Sequence, residues 1–378
     1  MYKFDLLTLI IYFAIGGFCC ILIKQSNKRF CYANGRISHG VSRDRYTWLF
    51  IVLLAVFAAI RGIDVGTDTI TYESMFLDAF DSAKLAEMEI LFVWYTKFIR
   101  LLTGNFRIYL FVSYLIIACS YIVFIKTYIP KQISFIPFVL VIFPFLTGLN
   151  TMRSSLAIAV FLIGLSLMKT RKFSGYLLMI CSVFVHRMMV AFVFLPVFKY
   201  LFGKTIVRSN KTSYLMFVVF STAIIFLLIS ILKTLVVRFG LLHGTDLSYI
   251  NSINIAKLLK GNYVTLFPYF LLLIVLCLFG KKLDRSPESM AIKIFCTYDI
   301  VIVLSALFIG LWRINEVMYL GRLMLWGELI YIIVQSSKKK YRGAIKKLFG
   351  CLFVAWLVFR IVSVYQDAGL MPYFLWFH

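Results

Sequence analysis

The sequence predicts an all-α polytopic integral membrane protein of about twelve transmembrane segments, and three observations predict it. Apolar residues make up 62% of the 378 and charged residues only 15%, against roughly 45–50% and 25% in soluble domains. Mean hydropathy is +0.92, which excludes a soluble globular fold. Apolar runs of about 15 to 20 residues recur along the whole chain. As helices they match a hydrocarbon core of about 30 Å, and they lack the short alternating segments of a β-barrel.

In chain order the runs fall at 6–23, 46–60, 106–125, 133–149, 154–168, 213–232, 264–279, 294–311, 322–334 and 348–364. The first reads as a retained helix, since it has no small-x-small cleavage site and ends in Lys24, Lys28 and Arg29. Gly175–Phe202 is too long for one crossing and short for two, and it carries His186 and Arg187 at its centre. It reads as a tight hairpin of two short helices. Residues 85–103, with Glu87, Glu89, Lys97 and Arg100 among Leu, Phe, Trp and Tyr, read as an amphipathic helix lying in the interface. The chain is then a single transmembrane domain, 1–378, with external loops 61–105, 233–263 and 312–321.

The formal charge of +24 comes from 40 Lys and Arg against 16 Asp and Glu, and it is unevenly distributed. Loops 24–45, 126–132, 169–172, 199–211, 280–293 and 335–347 hold 25 of the basic residues and three acids, Asp44, Asp284 and Glu288. By the positive-inside rule these loops are cytoplasmic. Membrane topology thus accounts for the excess, and nucleic acid is not an implied partner. The eight cysteines fall in predicted spans or, for Cys31, in a cytoplasmic loop, so no disulfide framework is expected.

Polar chemistry collects at the other face. Directly after the second run, Arg61-Gly-Ile-Asp64-Val-Gly66-Thr-Asp68-Thr-Ile-Thr-Tyr72 has the glycines of a turn and an Asp or Thr able to cap a helix from about Thr69. An Arg and two carboxylates in eight residues exceed what a cap requires. At Leu149-Asn-Thr-Met-Arg153-Ser-Ser an arginine stands at the external end of two apolar runs. Snorkelling to headgroups is one reading; the functional one is an anion site, because a guanidinium grips phosphate through two N–H bonds. His186 is the one histidine of four inside an apolar run; it reads either as a satisfied polar group in the helix packing or as a base, since an imidazole can accept a proton near neutral pH. Arg313, Glu316, Tyr319 and Arg322 form a third external cluster. Asp299, inside a run, reads either as a proton-relay group or as a helix-packing partner.

These motifs together resemble the EpsG family of bacterial polysaccharide polymerases, the Wzy-like proteins. The resemblance rests on Arg-Gly-x-x-Val-Gly-Thr-Asp-Thr-x-x-Tyr at 61–72, Arg153-Ser-Ser-Leu-Ala-Ile-Ala, Phe-Val-His186, Arg322 and Pro372-Tyr373. One departure is Ser154, where the family often carries Gln. The resemblance implies a GT-C-like glycosyltransferase of the bacterial inner membrane, active on the periplasmic face. Such an enzyme transfers a growing glycan from one undecaprenyl-diphosphate carrier onto another lipid-linked repeat unit, giving O-antigen, capsule or exopolysaccharide. On this reading Arg153 and Arg322, with Arg61 or Arg313, bind the diphosphates, and His186, Asp64 or Asp68 is the base. Tyr72, Glu316 and Tyr319 would contact the glycan acceptor. No cofactor is expected: Asp64 and Asp68 are spaced to hold Mg²⁺, but fixed arginines make a metal dispensable. A chain-length regulator and a flippase are the expected partners besides membrane lipid.

Two other classes compete. A flippase for lipid-linked oligosaccharides needs charges along a path through the bilayer, whereas here they gather at one face. A membrane O-acyltransferase would also use a histidine in a membrane cavity, and it would be betrayed by loss of acetyl groups at unchanged chain length.

Overall fold

The computed structural model describes residues 6–30, 45–128, 145–238, 263–284 and 287–307, with 330, 334, 337–345, 347, 348, 350, 351, 355 and 370 of the C-terminal region. Every regular element among them is helical. Four of these helices are long and apolar enough to cross a membrane: Leu6–Ser26, Phe106–Tyr128, Arg187–Arg208 and Lys211–Leu228. Arg45–Ala59, Met152–Leu167 and Lys172–Val183 are apolar but shorter. The expected twelve crossings are therefore not reached among the described residues. The runs at 133–149, 322–334 and 348–364 lie mostly outside them.

The chain divides into two compact units, Met1–Val190 with Ile333–His378, and Ala191–Ile332. The single domain read from the sequence thus contains two packing centres. The first unit contains α1 (Leu6–Phe30), α2 (Arg45–Ala59), α3 (Thr69–Leu77), α4 (Ala83–Ala86), α5 (Ile90–Leu102), α6 (Phe106–Tyr128), α7 (Leu146–Asn150), α8 (Met152–Leu167) and α9 (Lys172–Val183). Its centre is α6, packed between α2 and α8, with α9 on the far side of α8 and α1 beside α2.

Hydrogen bonds fix the directions of these helices. Arg107, at the start of α6, donates to the carbonyl of Ala59 at the end of α2 over 3.3 Å. At the opposite end Lys126 donates to Thr47 over 2.7 Å, so α2 and α6 are antiparallel. Lys169, beyond α8, donates to the carbonyl of Thr127 over 2.7 Å, which makes α6 and α8 parallel. Lys126, Lys169, Arg171 and Lys172 therefore lie at one end, and segment 61–72, Arg153 and His186 at the other. That is the separation the loop charges anticipate.

Close approach of backbones seats α9 on α8. A Cβ at Gly175 would come within 2.6 Å of the Met168 nitrogen and 2.7 Å of the Gly164 carbonyl oxygen. Small residues at a helix contact are the usual device where lipid removes the hydrophobic drive to associate. In the stretch read as a hairpin, α9 ends at Val183, His186 is extended (φ −155°, ψ 116°), and a 3-10 turn follows at Arg187–Met189.

α5 rises only about 20 Å over its 13 residues, too short to cross. It buries Phe92, Thr96 and Ile99, one stripe at helical spacing. It exposes Ile90, Trp94, Phe98 and Leu101. Its two cations fold over aromatic rings, Lys97 on Phe80 and Arg100 on Phe76, which leaves the outer face apolar.

The second unit contains α10 (Leu195–Arg208), α11 (Lys211–Arg238), α12 (Tyr263–Leu283) and α13 (Pro287–Leu307). α13 touches the other three, and Ile292–Val303 are buried without interruption, so it is the axis of the unit. Its polar groups meet partners on or just beyond neighbouring helices, Thr297 with Tyr214 at 2.9 Å and Lys293 with Asp284 at 3.0 Å. Asp299 is wholly buried on the same helix.

Gly175→Val is expected to push α8 and α9 apart and destabilise the protein by about 1–3 kcal/mol or more, read as a lowered thermal midpoint in detergent. Gly17→Ala, where an added Cβ meets nothing within 4 Å, is expected to shift stability by no more than about 0.5 kcal/mol. Equal effects would contradict this packing.

Candidate active site

The segment after α2 folds as successive turns because its glycine makes them possible. Gly66 has φ +90°, and a Cβ there would press on the backbone of Leu149 and Asn150 at 3.1–3.2 Å. The turns carry the segment across the break between α7 and α8. Asn150 pins it: its side-chain oxygen accepts from the Thr67 hydroxyl at 3.0 Å and the Asp68 N–H at 2.9 Å. Helix α3 begins at Thr69 as the sequence predicts, but Asp68 makes no side-chain capping bond. Its backbone N–H donates to Asn150.

Beneath the loop lies Arg61, 0% exposed. Its guanidinium donates to the Tyr114 hydroxyl at 3.0 Å and to Thr69 at 3.4 Å, and it lies 5.1 Å from the Tyr114 ring centre. Tyr114 in turn donates to the Gly148 carbonyl at 2.7 Å. Among the described residues no carboxylate pairs with Arg61 and its Nε has no partner. It ties α2, α3, α6 and α7 together from within.

The charged cluster at this end is organised by Glu89, at the position preceding α5. One carboxylate oxygen accepts from the Arg153 guanidinium at 2.9 Å. The other takes the Arg187 backbone N–H at 2.9 Å and faces His186 Nδ1 at 3.3 Å, with the Arg187 guanidinium 3.9 Å away. Arg153 also contacts the Met88 sulfur, and its backbone N–H donates to the Tyr72 hydroxyl at 3.4 Å. Tyr72 packs edge-on against Phe92. The backbone connects α5 to the same corner, with Leu91 N–H donating to the Phe184 carbonyl at 2.9 Å.

Burial opposes the charge on Glu89, but His186, the Arg187 N–H and Arg153 outweigh it and hold the carboxyl at about 2. Glu89 is therefore an acceptor at any physiological pH, not a proton carrier. Burial pushes the Tyr72 phenol up to about 12 against the pull of Arg153, so it stays a hydroxyl able to donate or accept. Arg153 and Glu89 keep 18% and 14% of their side-chain surfaces exposed, whereas that of His186 keeps 7%. The histidine is sheltered while the cation can be reached.

Of the residues singled out in the sequence, Asp68, Tyr72, Arg153 and His186 thus come together at one end of the first unit, with Arg61 buried behind them. Asp64 is exposed on the turn. Arg313, Glu316, Tyr319 and Arg322 lie outside the described residues, as does Pro372-Tyr373. Among the described residues no three His, Cys, Asp or Glu form a metal-binding group. The sequence reading missed Glu89 as a site residue. An acid before an apolar helix reads as a favourable charge at the helix start, and its partners are 64 and 97 residues away in sequence.

The first unit thus joins arginine, histidine and carboxylate at one end of its helices. The EpsG family model matches residues 45–375, and the chain belongs to the EpsG family, a family of Wzy-like polysaccharide polymerases and EpsG-type glycosyltransferases. No curated protein and no solved structure matches it.

The held carboxylate has a pH consequence. Its ordinary value is 4.5 and its folded value about 2, so its stabilising effect is fully present above about 4.5 and is lost as pH falls toward 2. Thermal midpoints in detergent between pH 2 and 6 are expected to fall with acid more steeply for the wild type than for Glu89→Gln. Parallel curves would show that the three partners do not stabilise the charge.

Proposed function

We propose that this chain polymerises undecaprenyl-diphosphate-linked oligosaccharide repeat units into a surface polysaccharide at the periplasmic face of the inner membrane. Membership of the EpsG family supports a membrane polysaccharide polymerase. The observation that carries the finer reading is the juxtaposition of an accessible arginine and a sheltered histidine on one carboxylate.

Glycosyl transfer needs three things: a base for the acceptor hydroxyl, a cation for the departing diphosphate, and exclusion of water. In the proposed step the acceptor oxygen attacks the anomeric carbon of the donor and its proton passes to His186. The bond from that carbon to the diphosphate oxygen breaks, and undecaprenyl diphosphate leaves with the electron pair. Arg153 stands at the N-terminus of α8, where the helix dipole also favours an anion. Arg187, 61% exposed, adds a second cation within the cluster, and Arg322 is the proposed counterpart from the C-terminal part. Arg61 acts on this reading as a scaffold for the loop rather than as a substrate contact. Tyr72 is placed to orient a sugar hydroxyl. Asp68 is kept as an acceptor contact, and Asp64 as a weaker candidate because it lies on the exposed side of the turn.

The test is a gel of surface polysaccharide from a strain lacking the gene, complemented with wild type, Arg153→Ala or His186→Ala. Each variant is expected to lose roughly 100-fold or more of its activity, collapsing the ladder to a single repeat at normal protein abundance. An unchanged ladder would contradict the reading and turn attention to acetylation of the glycan and to uptake assays. The reaction is proposed to need no metal, so chelation with EDTA in isolated membranes is expected to leave chain length unchanged. Restoration by Mg²⁺ after a loss would reverse that.

A further inference from the structure

We infer that Glu89 is a positioning residue that selects one tautomer of His186, the one protonated on Nδ1 and carrying its lone pair on Nε2. The use of Nε2 as the base rests on the polymerase reading; the choice of tautomer does not.

The geometry carries this. A neutral imidazole has one donor and one acceptor nitrogen, and an ionised carboxylate only accepts. His186 Nδ1 faces Glu89 Oε1 at 3.3 Å. Glu89 cannot donate a proton to it, so the contact is a hydrogen bond only when Nδ1 carries the hydrogen. The proton-accepting lone pair is then on Nε2, the nitrogen turned from the carboxylate. Orientation of a ring nitrogen by a hydrogen bond at the other is the general way in which a histidine base is prepared.

Glu89 is itself held against rotation. Its Oε2 is bound by Arg153 and its Oε1 by the Arg187 N–H. That N–H belongs to the residue next to His186, so the carboxylate grips both the ring and the backbone that carries it. His186 is extended there, between α9 and the 3-10 turn, and helix geometry alone does not set its ring. Among the described residues Glu89 faces the imidazole, and Arg153 and Arg187 pair with the same carboxylate. Of these three groups the arginines only donate, and the carboxylate can take a hydrogen bond from the ring.

The same carboxylate joins the base to the anion site. A diphosphate arriving at Arg153 competes with Glu89 Oε2 for the guanidinium, while Oε1 keeps its hold on His186. Glu89 therefore brings the two side chains together before the diphosphate arrives and keeps its hold on the ring afterwards.

The test is ¹⁵N NMR of the full chain in detergent at pH 7.5. The protein has four histidines, and replacing His39, His243 and His378 by Gln leaves one labelled imidazole. The expected spectrum shows Nδ1 protonated and Nε2 bare in a ratio of roughly ten to one or more, as one charge-assisted hydrogen bond dictates. Glu89→Gln, whose amide can accept or donate, is expected to give a mixture. A predominant Nε2–H tautomer, a doubly protonated ring in the wild type, or no change with Glu89→Gln would each overturn the proposal. The spectrum is read without turnover, so a chain that makes no polymer and one whose histidine is wrongly protonated are told apart.

Discussion

Glu89 draws an ion pair, an imidazole contact and a backbone N–H onto one carboxylate, and the geometry of the site depends on that convergence. The start of α8, the break after α9 and the start of α5 meet nowhere else through charge among the described residues. A carboxylate taken this far from water is costly unless its lone pairs are filled and its charge is balanced, and here three donors do both. The converse is also true. Without Glu89, Arg153 would lose its counterion and His186 the acceptor that orders its ring.

The remainder of the first unit holds these parts in place. Segment 61–72 is bent by Gly66, pinned by Asn150 and supported from below by Arg61 and Tyr114. It thereby fixes the break that presents Arg153 and the hydroxyl of Tyr72 that receives the Arg153 backbone N–H. α9 is brought close to α8 by Gly164 and Gly175, and its length is about 18 Å over 12 residues. A helix of that length is shorter than a hydrocarbon core of about 30 Å. Lys126 and Lys169 of the opposite end are tied to a hydroxyl and a carbonyl there.

Much of this was legible in the sequence wherever the signal is local. Composition and run length read as a helical membrane protein because lipid demands internally satisfied backbone. The glycines of 61–72 read as a turn, the polar break at 184–187 as an interruption, and the loop charges as two separated ends. What was not legible depends on long-range meeting. Glu89 looks like an ordinary helix-start acid, and Arg61 reads as a diphosphate contact, until the fold places one on Arg153 and His186 and buries the other under the loop. Asp68 looks like a cap, yet its side chain makes no capping bond and its backbone N–H donates to a residue 82 positions away. A local code cannot register such a partner.

The most direct measurement is a structure of the full chain in a lipid nanodisc with a lipid-linked oligosaccharide diphosphate bound. The account predicts diphosphate oxygens about 3 Å from the Arg153 guanidinium, and an acceptor hydroxyl facing the Nε2 side of His186. Diphosphate bound away from this corner, with the Glu89, Arg153 and His186 contacts undisturbed, would contradict it.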